Sequence, residues 1–276
     1  MSSFLDQMAA ASEARLRAAR ARLSESALLD LAVRTPAAPP LRLTPQRFDL
    51  IAELKLRSPA AGALGAADIP VAPRALTYAR AGAAAVSVLT EPSRFDGSLS
   101  HLTEAAGPLA PLGVPAMRKD FLIDPYQVLE ARAAGAGGVL LILRMLSSET
   151  LGALIACART QGLFVLLEAF DEKDLDRMQQ VIAADAGRST LLAGVNCRDL
   201  GTLEVVPGRL LELAPLLPPQ VPHVAESGVE SGADARRLAG AGYGLALVGS
   251  ALMRSADPAA LIRSLLEAGR SAPGAS

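Results

Sequence analysis

Gly138-Val139-Leu140-Leu141-Ile142-Leu143 and, after a stretch able to form one helix, Leu163-Phe164-Val165-Leu166-Leu167-Glu168 decide the fold. Both are near-continuous apolar runs of strand length, as a sheet covered on both faces requires, and a helix between them implies a parallel crossover. The same unit repeats outward in both directions. Strands are expected at 48–54, 84–89, 114–118, 138–143, 163–168, 191–195, 221–225 and 244–248, each followed by a stretch that can form a helix. Small-residue punctuation at Ala81-Gly82-Ala83, Ala134-Gly135-Ala136 and Ala241-Gly242 fits helix ends capped in the left-handed conformation before the next strand. An eight-fold βα barrel and an open doubly wound sheet share this alternation, and periodicity alone does not separate them. The absence of GxGxxG after the first strand tilts toward the barrel.

Ahead of the repeats, Phe4, Leu5, Met8, Leu16, Leu23, Leu28, Leu29 and Leu31 recur at helical spacings, predicting one helix over 4–33, ended by Pro36, Pro39 and Pro40. The expected organisation is a helical extension over 1–47 and a single (β/α)8 TIM barrel over 48–276. The length of 276 residues fits, being a little above the roughly 250 of a minimal barrel.

Composition excludes several functions. With 51% hydrophobic and 20% charged residues the chain should be globular, and a net charge of −1 offers no footprint for nucleic acid or an anionic membrane. Cys157 and Cys197 form no CxxC or Cys/His cluster, so neither a disulfide framework nor a zinc site is expected and a reducing cytoplasm fits best. Charges mixed through the amino-terminal residues argue against secretion, and no apolar run long enough for membrane insertion occurs.

In parallel βα folds the chemistry lies beyond the carboxyl ends of the strands. The first strand ends Glu53-Leu54-Lys55, whose two charged side chains share one face; taken alone, they read as a structural ion pair. The third ends Arg118-Lys119-Asp120 and the fifth Leu167-Glu168. The sixth ends Asn196-Cys197-Arg198, with Asn196 and Arg198 on one face and Cys197 turned toward the helices as a packing residue. Glu226-Ser227-Gly228 and Gly249-Ser250 follow the seventh and eighth strands, where this fold usually cradles a phosphate with backbone N–H groups and a helix dipole. His101 and His223 lie away from the expected mouth and suit surface or packing roles.

These residues sit in longer motifs. Glu53-Leu54-Lys55-Leu56-Arg57-Ser58-Pro59, Ser87-Val88-Leu89-Thr90-Glu91, the run Arg118-Lys119-Asp120-Phe121-Leu122-Ile123-Asp124-Pro125-Tyr126-Gln127, Asn196-Cys197-Arg198-Asp199-Leu200, Glu226-Ser227-Gly228 and Val248-Gly249-Ser250-Ala251-Leu252-Met253 resemble, in order, the motifs of the indole-3-glycerol-phosphate synthase family. The resemblance implies a barrel whose N-terminal segment helps cover the active site. It implies ring closure, decarboxylation and dehydration of 1-(2-carboxyphenylamino)-1-deoxyribulose 5-phosphate, with neither metal nor organic cofactor.

By that resemblance Lys119 is the general acid, Glu168 and Glu53 are the catalytic carboxylates, and Lys55 serves dehydration or substrate anchoring. Asn196 and Arg198 position the anthranilate portion, Ser58 and Ser227 supply hydrogen bonds, Phe95 lies against the substrate ring, and Gly228, Gly249 and Ser250 bind the phosphate. The chain departs from the family at Arg94, where a second aromatic is usual, at Cys197, where asparagine is, and at Ala60 and Ala61, where a Ser-Lys-type pair is. A phosphosugar is the expected partner, and a monomer is allowed for. Two alternatives stand beside it: a phosphoribosylanthranilate isomerase-like barrel, which would need a cysteine and an aspartate in place of Glu53 and Lys55, and a phosphate-binding barrel without turnover.

Overall fold

The computed structural model describes residues 3–45, 48–58, 62–63, 70–199, 202–206 and 208–272, with only the backbone given for 58, 62 and 63. Its parallel strands close into one barrel: β1 Asp49–Leu54, β2 Ala85–Leu89, β3 Ala116–Lys119, β4 Gly138–Ile142, β5 Phe164–Ala169, β6 Leu191–Asn196, β7 His223–Glu226 and β8 Leu245–Val248, with β8 pairing back onto β1. Closure settles the choice between barrel and open sheet.

The expected strands are all present, and their boundaries differ for physical reasons. β3 and β7 start later than their apolar runs because Pro115 and Pro222, which have no N–H to give, precede them and act only as acceptors, for Val86 N (3.0 Å) and Ala193 N (2.9 Å). At the other end both strands run one residue past their expected ends, to Lys119 and to Glu226.

Alternation sorts each strand between two cores. Leu50, Ala52 and Leu54 of β1, Val165 and Leu167 of β5, and Val195 of β6 pack beneath the surrounding helices. Ile51, Met117, Leu140, Ile142, Phe164, Leu166, Leu192, Val224 and Leu247 fill the lumen. The barrel is therefore packed through its middle, and polar inward positions collect at the carboxyl end.

The amino-terminal helix corrects the sequence expectation: it is two helices, α1 Phe4–Arg22 and α2 Glu25–Arg34. Leu23 is extended (φ −141°), and the Ser24 hydroxyl accepts from Ala27 N to start the second helix. Ser24 competes for the backbone as an N-cap, while apolar spacing continues across the break and hides it. The segment meets both ends of the barrel. Phe4, Leu5 and Met8 join the lumen cluster, as do Leu41 and Leu43 on the approach to β1.

The helices after the strands are α3 Val71–Arg80, α4 Leu99–Leu109, α5 Pro125–Ala133, α6 Ser148–Thr160, α7 Glu172–Asp185, α8 Arg209–Leu213, α9 Gly232–Gly240, α10 Ser250–Arg254 and α11 Pro258–Arg270. His223 opens β7 at the end away from the mouth, between Gly242 O and Pro218 O, and His101 lies on α4. No described helix is long and apolar enough to cross a membrane.

Candidate active site

The last inward position of several strands is polar: Glu53 on β1, Lys119 on β3, Glu168 on β5, Asn196 on β6 and Glu226 on β7. Register aligns them, with Asn196 opposite Glu226 and Glu168 opposite Gly194. Glycine completes the layer where a carboxylate needs room. A Cβ on Gly194 would stand 2.3 Å from Glu226 Oε1, and one on Gly249 would stand 2.1 Å from Glu53 Oε1.

This layer floors a pocket of about 1070 Å³, counted out to its open mouth. Lys119 Nζ lies 3.6 Å from Glu53 Oε2, 3.8 Å from Glu168 Oε2 and 3.9 Å from Glu226 Oε2, while Lys55 Nζ lies 2.7 Å from Glu53 Oε1. Burial disfavours the Lys119 ammonium, but Glu53, then Glu168 and Glu226, outweigh it and hold the pKa above the usual amine range. Burial likewise opposes Glu53 ionisation, and the ammonium groups of Lys55 and Lys119 overcome it, leaving the carboxyl below its usual range. Burial pushes Glu226 well above its usual range; Glu168 adds to the rise and Lys119 offsets part of it.

One wall is aromatic. Phe121 stands between Phe4 of α1 (6.0 Å, edge-on) and Phe95 (6.3 Å). A buried network holds this wall. Arg15 of α1 reaches Asp120 Oδ1 (2.8 Å) and Glu91 Oε1 (3.3 Å). Glu91 caps the single turn Pro92–Phe95 through Ser93 N and Arg94 N. Asp120 also takes Arg118 (3.1 Å), Thr90 Oγ1 (2.7 Å) and Phe121 N (2.8 Å). Against burial, Arg118 and then Arg15 keep the Asp120 carboxyl below its usual range. Arg94, where the family's second aromatic is usual, turns instead to Gln7 of α1 at 3.2 Å.

The opposite rim carries the glycine turns. Ser227 and Gly228 both lie in the left-handed region (φ 69° and 71°), which for serine stores about 1 kcal/mol or more of strain. Asn196 Oδ1 accepts from Ser227 Oγ (2.9 Å) and from Arg198 N (2.9 Å), so its NH2 is the edge left for a ligand. The Arg198 guanidinium donates to Leu203 O (2.6 Å). Cys197 is buried below the turn with its thiol 3.3 Å from Ser227 O, a packing position as expected.

Glu53, Lys55, Phe95, Lys119, Glu168, Asn196, Arg198, Ser227, Gly228, Gly249 and Ser250 all line this pocket, having been drawn from most of the chain's length. Ser58 contributes its backbone to a two-residue ladder with Gly62–Ala63, and its side chain, like Ala60 and Ala61, lies outside the described residues. Sequence reasoning missed Glu226 as a site residue, treating it as part of the turn after the seventh strand. Parity held the signal: Val224 faces the lumen, so Glu226 must too. It missed Arg15 as well, and for that helix residue no local pattern pointed to the barrel.

Similarity to known proteins agrees with this geometry. The family model described as "Indole-3-glycerol phosphate synthase" matches residues 5–265. The indole-3-glycerol phosphate synthase of Parafrankia sp. is 45% identical over 81% of this chain and 79% of its own, and that of Mycolicibacterium smegmatis is 41% identical over 90% and 89%. Among solved structures, 3-hexulose-6-phosphate synthase from Salmonella typhimurium has a TM-score of 0.60 at 17% identity, covering 80% of this chain and 98% of that one. A tryptophan synthase chain from M. tuberculosis has 0.57 at 17%, covering 82% and 94%. Both are likenesses of barrel fold alone. On the match over residues 5–265, and with its motif residues gathered in one pocket, the chain belongs to the indole-3-glycerol phosphate synthase family.

Proposed function

We propose that the chain is a carbon-carbon lyase, a carboxy-lyase that converts 1-(2-carboxyphenylamino)-1-deoxyribulose 5-phosphate to indole-3-glycerol phosphate, carbon dioxide and water. The observation that carries this is the meeting of one lysine with the carboxylates of Glu53, Glu168 and Glu226 in a pocket with an aromatic wall. The phosphate faces the turns at Gly228 and Gly249-Ser250, and the aniline ring lies along Phe95 and Phe121.

The ring carbon bearing the carboxylate attacks the ketone carbon, and the Lys119 ammonium protonates the developing alkoxide. An alkoxide is a stronger base than an amine, so this transfer runs downhill even with the lysine pKa raised. Carbon dioxide then leaves, its bonding electrons restoring the aromatic ring. The new hydroxyl departs as water, with a proton supplied by an ammonium group and another removed from the methylene carbon beside the nitrogen. Glu168 is the better base for that step, because no lysine lies within hydrogen-bond length of its Oε2, Lys119 Nζ standing 3.8 Å away. Glu53 is occupied by both lysines and orients them. Asn196 and Arg198 are assigned to the anthranilate portion, and Ser58 and Ser227 to hydrogen bonds.

A cytoplasmic location and a small-molecule phosphosugar as partner, rather than nucleic acid or a membrane, belong to the same proposal; two unclustered cysteines support the first. The test is direct. Purified protein, with chelator and no added cofactor, should convert the anilino substrate to a fluorescent indole product. Phosphate binding without any indole signal would support the barrel without turnover instead.

A further inference from the structure

Glu226 has no part in the steps above, yet it is among the most buried polar residues of the chain, at 1% exposure. Three carboxylates share this floor with two ammonium groups, and Lys55 is committed to Glu53 at 2.7 Å. That leaves Lys119 alone to serve Glu168 and Glu226, from 3.8 and 3.9 Å, both beyond hydrogen-bond length. Glu168 Oε2 and both oxygens of Glu226 are buried without a hydrogen-bond donor among the described residues. Two anions left in that state in a low-dielectric site repel each other, and one proton between them removes the repulsion and gives Glu168 its donor, leaving one Glu226 oxygen unpaired.

The groups facing Glu226 allow no other compensation. β1 presents Glu53 with Lys55 behind it, β3 Lys119 and β5 Glu168; β2 offers only the Ser87 hydroxyl. The inward residues of β4 and β8 are apolar or glycine, Asn196 is neutral, and the Cys197 thiol faces the helix side, its ionisation opposed by burial. We propose that in the ligand-free site at neutral pH Glu226 carries a proton and donates it to Glu168, so that the pair holds one negative charge. Glu226 is thus a positioning residue acting through Glu168. It also brings the floor to two negative and two positive charges, which a substrate bearing a carboxylate and a phosphate can enter without net repulsion.

The inference rests on the lyase reading only in its kinetic arm. In the infrared spectrum of the unliganded protein, a carbonyl stretch of a protonated carboxylic acid should be present at neutral pH and bleach as the pH is raised. Glu226→Gln should remove that band, and Glu226→Asp should shift it, giving a second assignment should the first variant not fold. Absence of a Glu226-dependent band at neutral pH would overturn the proposal whether or not the protein turns over substrate. In the kinetic arm, Glu226→Gln keeps a neutral donor and should lower kcat/KM by less than about tenfold, whereas Glu226→Ala should lower it by more than about a hundredfold. The alkaline fall of kcat/KM should be lost in the Gln variant. An alkaline limb unchanged by that substitution would equally overturn the idea.

Discussion

Lys119 is held by opposing demands, and both should show when it is removed. It is the only cation within reach of Glu168 and Glu226 among the described residues, and it shares Glu53 with Lys55. Lys119→Met should lower kcat by about 10²- to 10⁴-fold through loss of the acid. It should also cost stability, up to about 3–5 kcal/mol, because buried carboxylates are left facing one another. Turnover and a denaturant titration on the same preparation check the two effects, and a variant that loses activity at unchanged stability would mean that Lys119 carries no structural charge balance. At this scale the sequence was informative for residues that end an apolar run and belong to a motif, such as Lys119 and Glu168. It was less so for Glu226, because a serine and a glycine after it read as a turn that swallows the last strand residue.

The elements around the mouth are tied together by Arg15, whose guanidinium joins α1 to the turn carrying Phe95 and to the segment following Lys119. Glu91 and Asp120 each accept several other donors, so the loop geometry survives without Arg15 while the helix loses its charged anchor. Arg15→Ala should therefore raise KM by about tenfold, equivalent to about 1.4 kcal/mol, with a much smaller change in kcat, and Arg15→Lys should recover part of the loss. A fall in kcat at constant KM would place the effect on Lys119 rather than on the aromatic wall. Element identities followed from periodicity because each strand is covered on both faces. Their ends did not, since Pro115, Pro222 and Ser24 act through missing donors and competing caps that hydrophobic spacing does not register.

Across the whole molecule, the polar layer and the network behind the aromatic wall make stability depend on pH in two opposite senses. Glu53 and Asp120 titrate in the folded protein below their ordinary values of 4.5 and 3.8. On acidification through those values the unfolded chain takes up protons first, so the stability these groups contribute is lost as the pH falls toward their folded values. Glu226 works the other way, titrating well above 4.5. Between 4.5 and its raised value the folded protein holds the extra proton, so its contribution favours folding at the acid end and declines as the pH rises. Stability of the unmodified chain should therefore pass through a maximum, and the part of the alkaline decline that begins below the ordinary amine and phenol range, where Lys119, Tyr78 and Tyr243 have not yet begun to contribute, should vanish in Glu226→Gln while the acid limb stays in place. Chemical denaturation midpoints across the pH range read this directly. Parallel curves for the two proteins above pH 4.5 would mean that Glu226 ionises as an ordinary carboxylate and that the barrel floor tolerates its full negative charge.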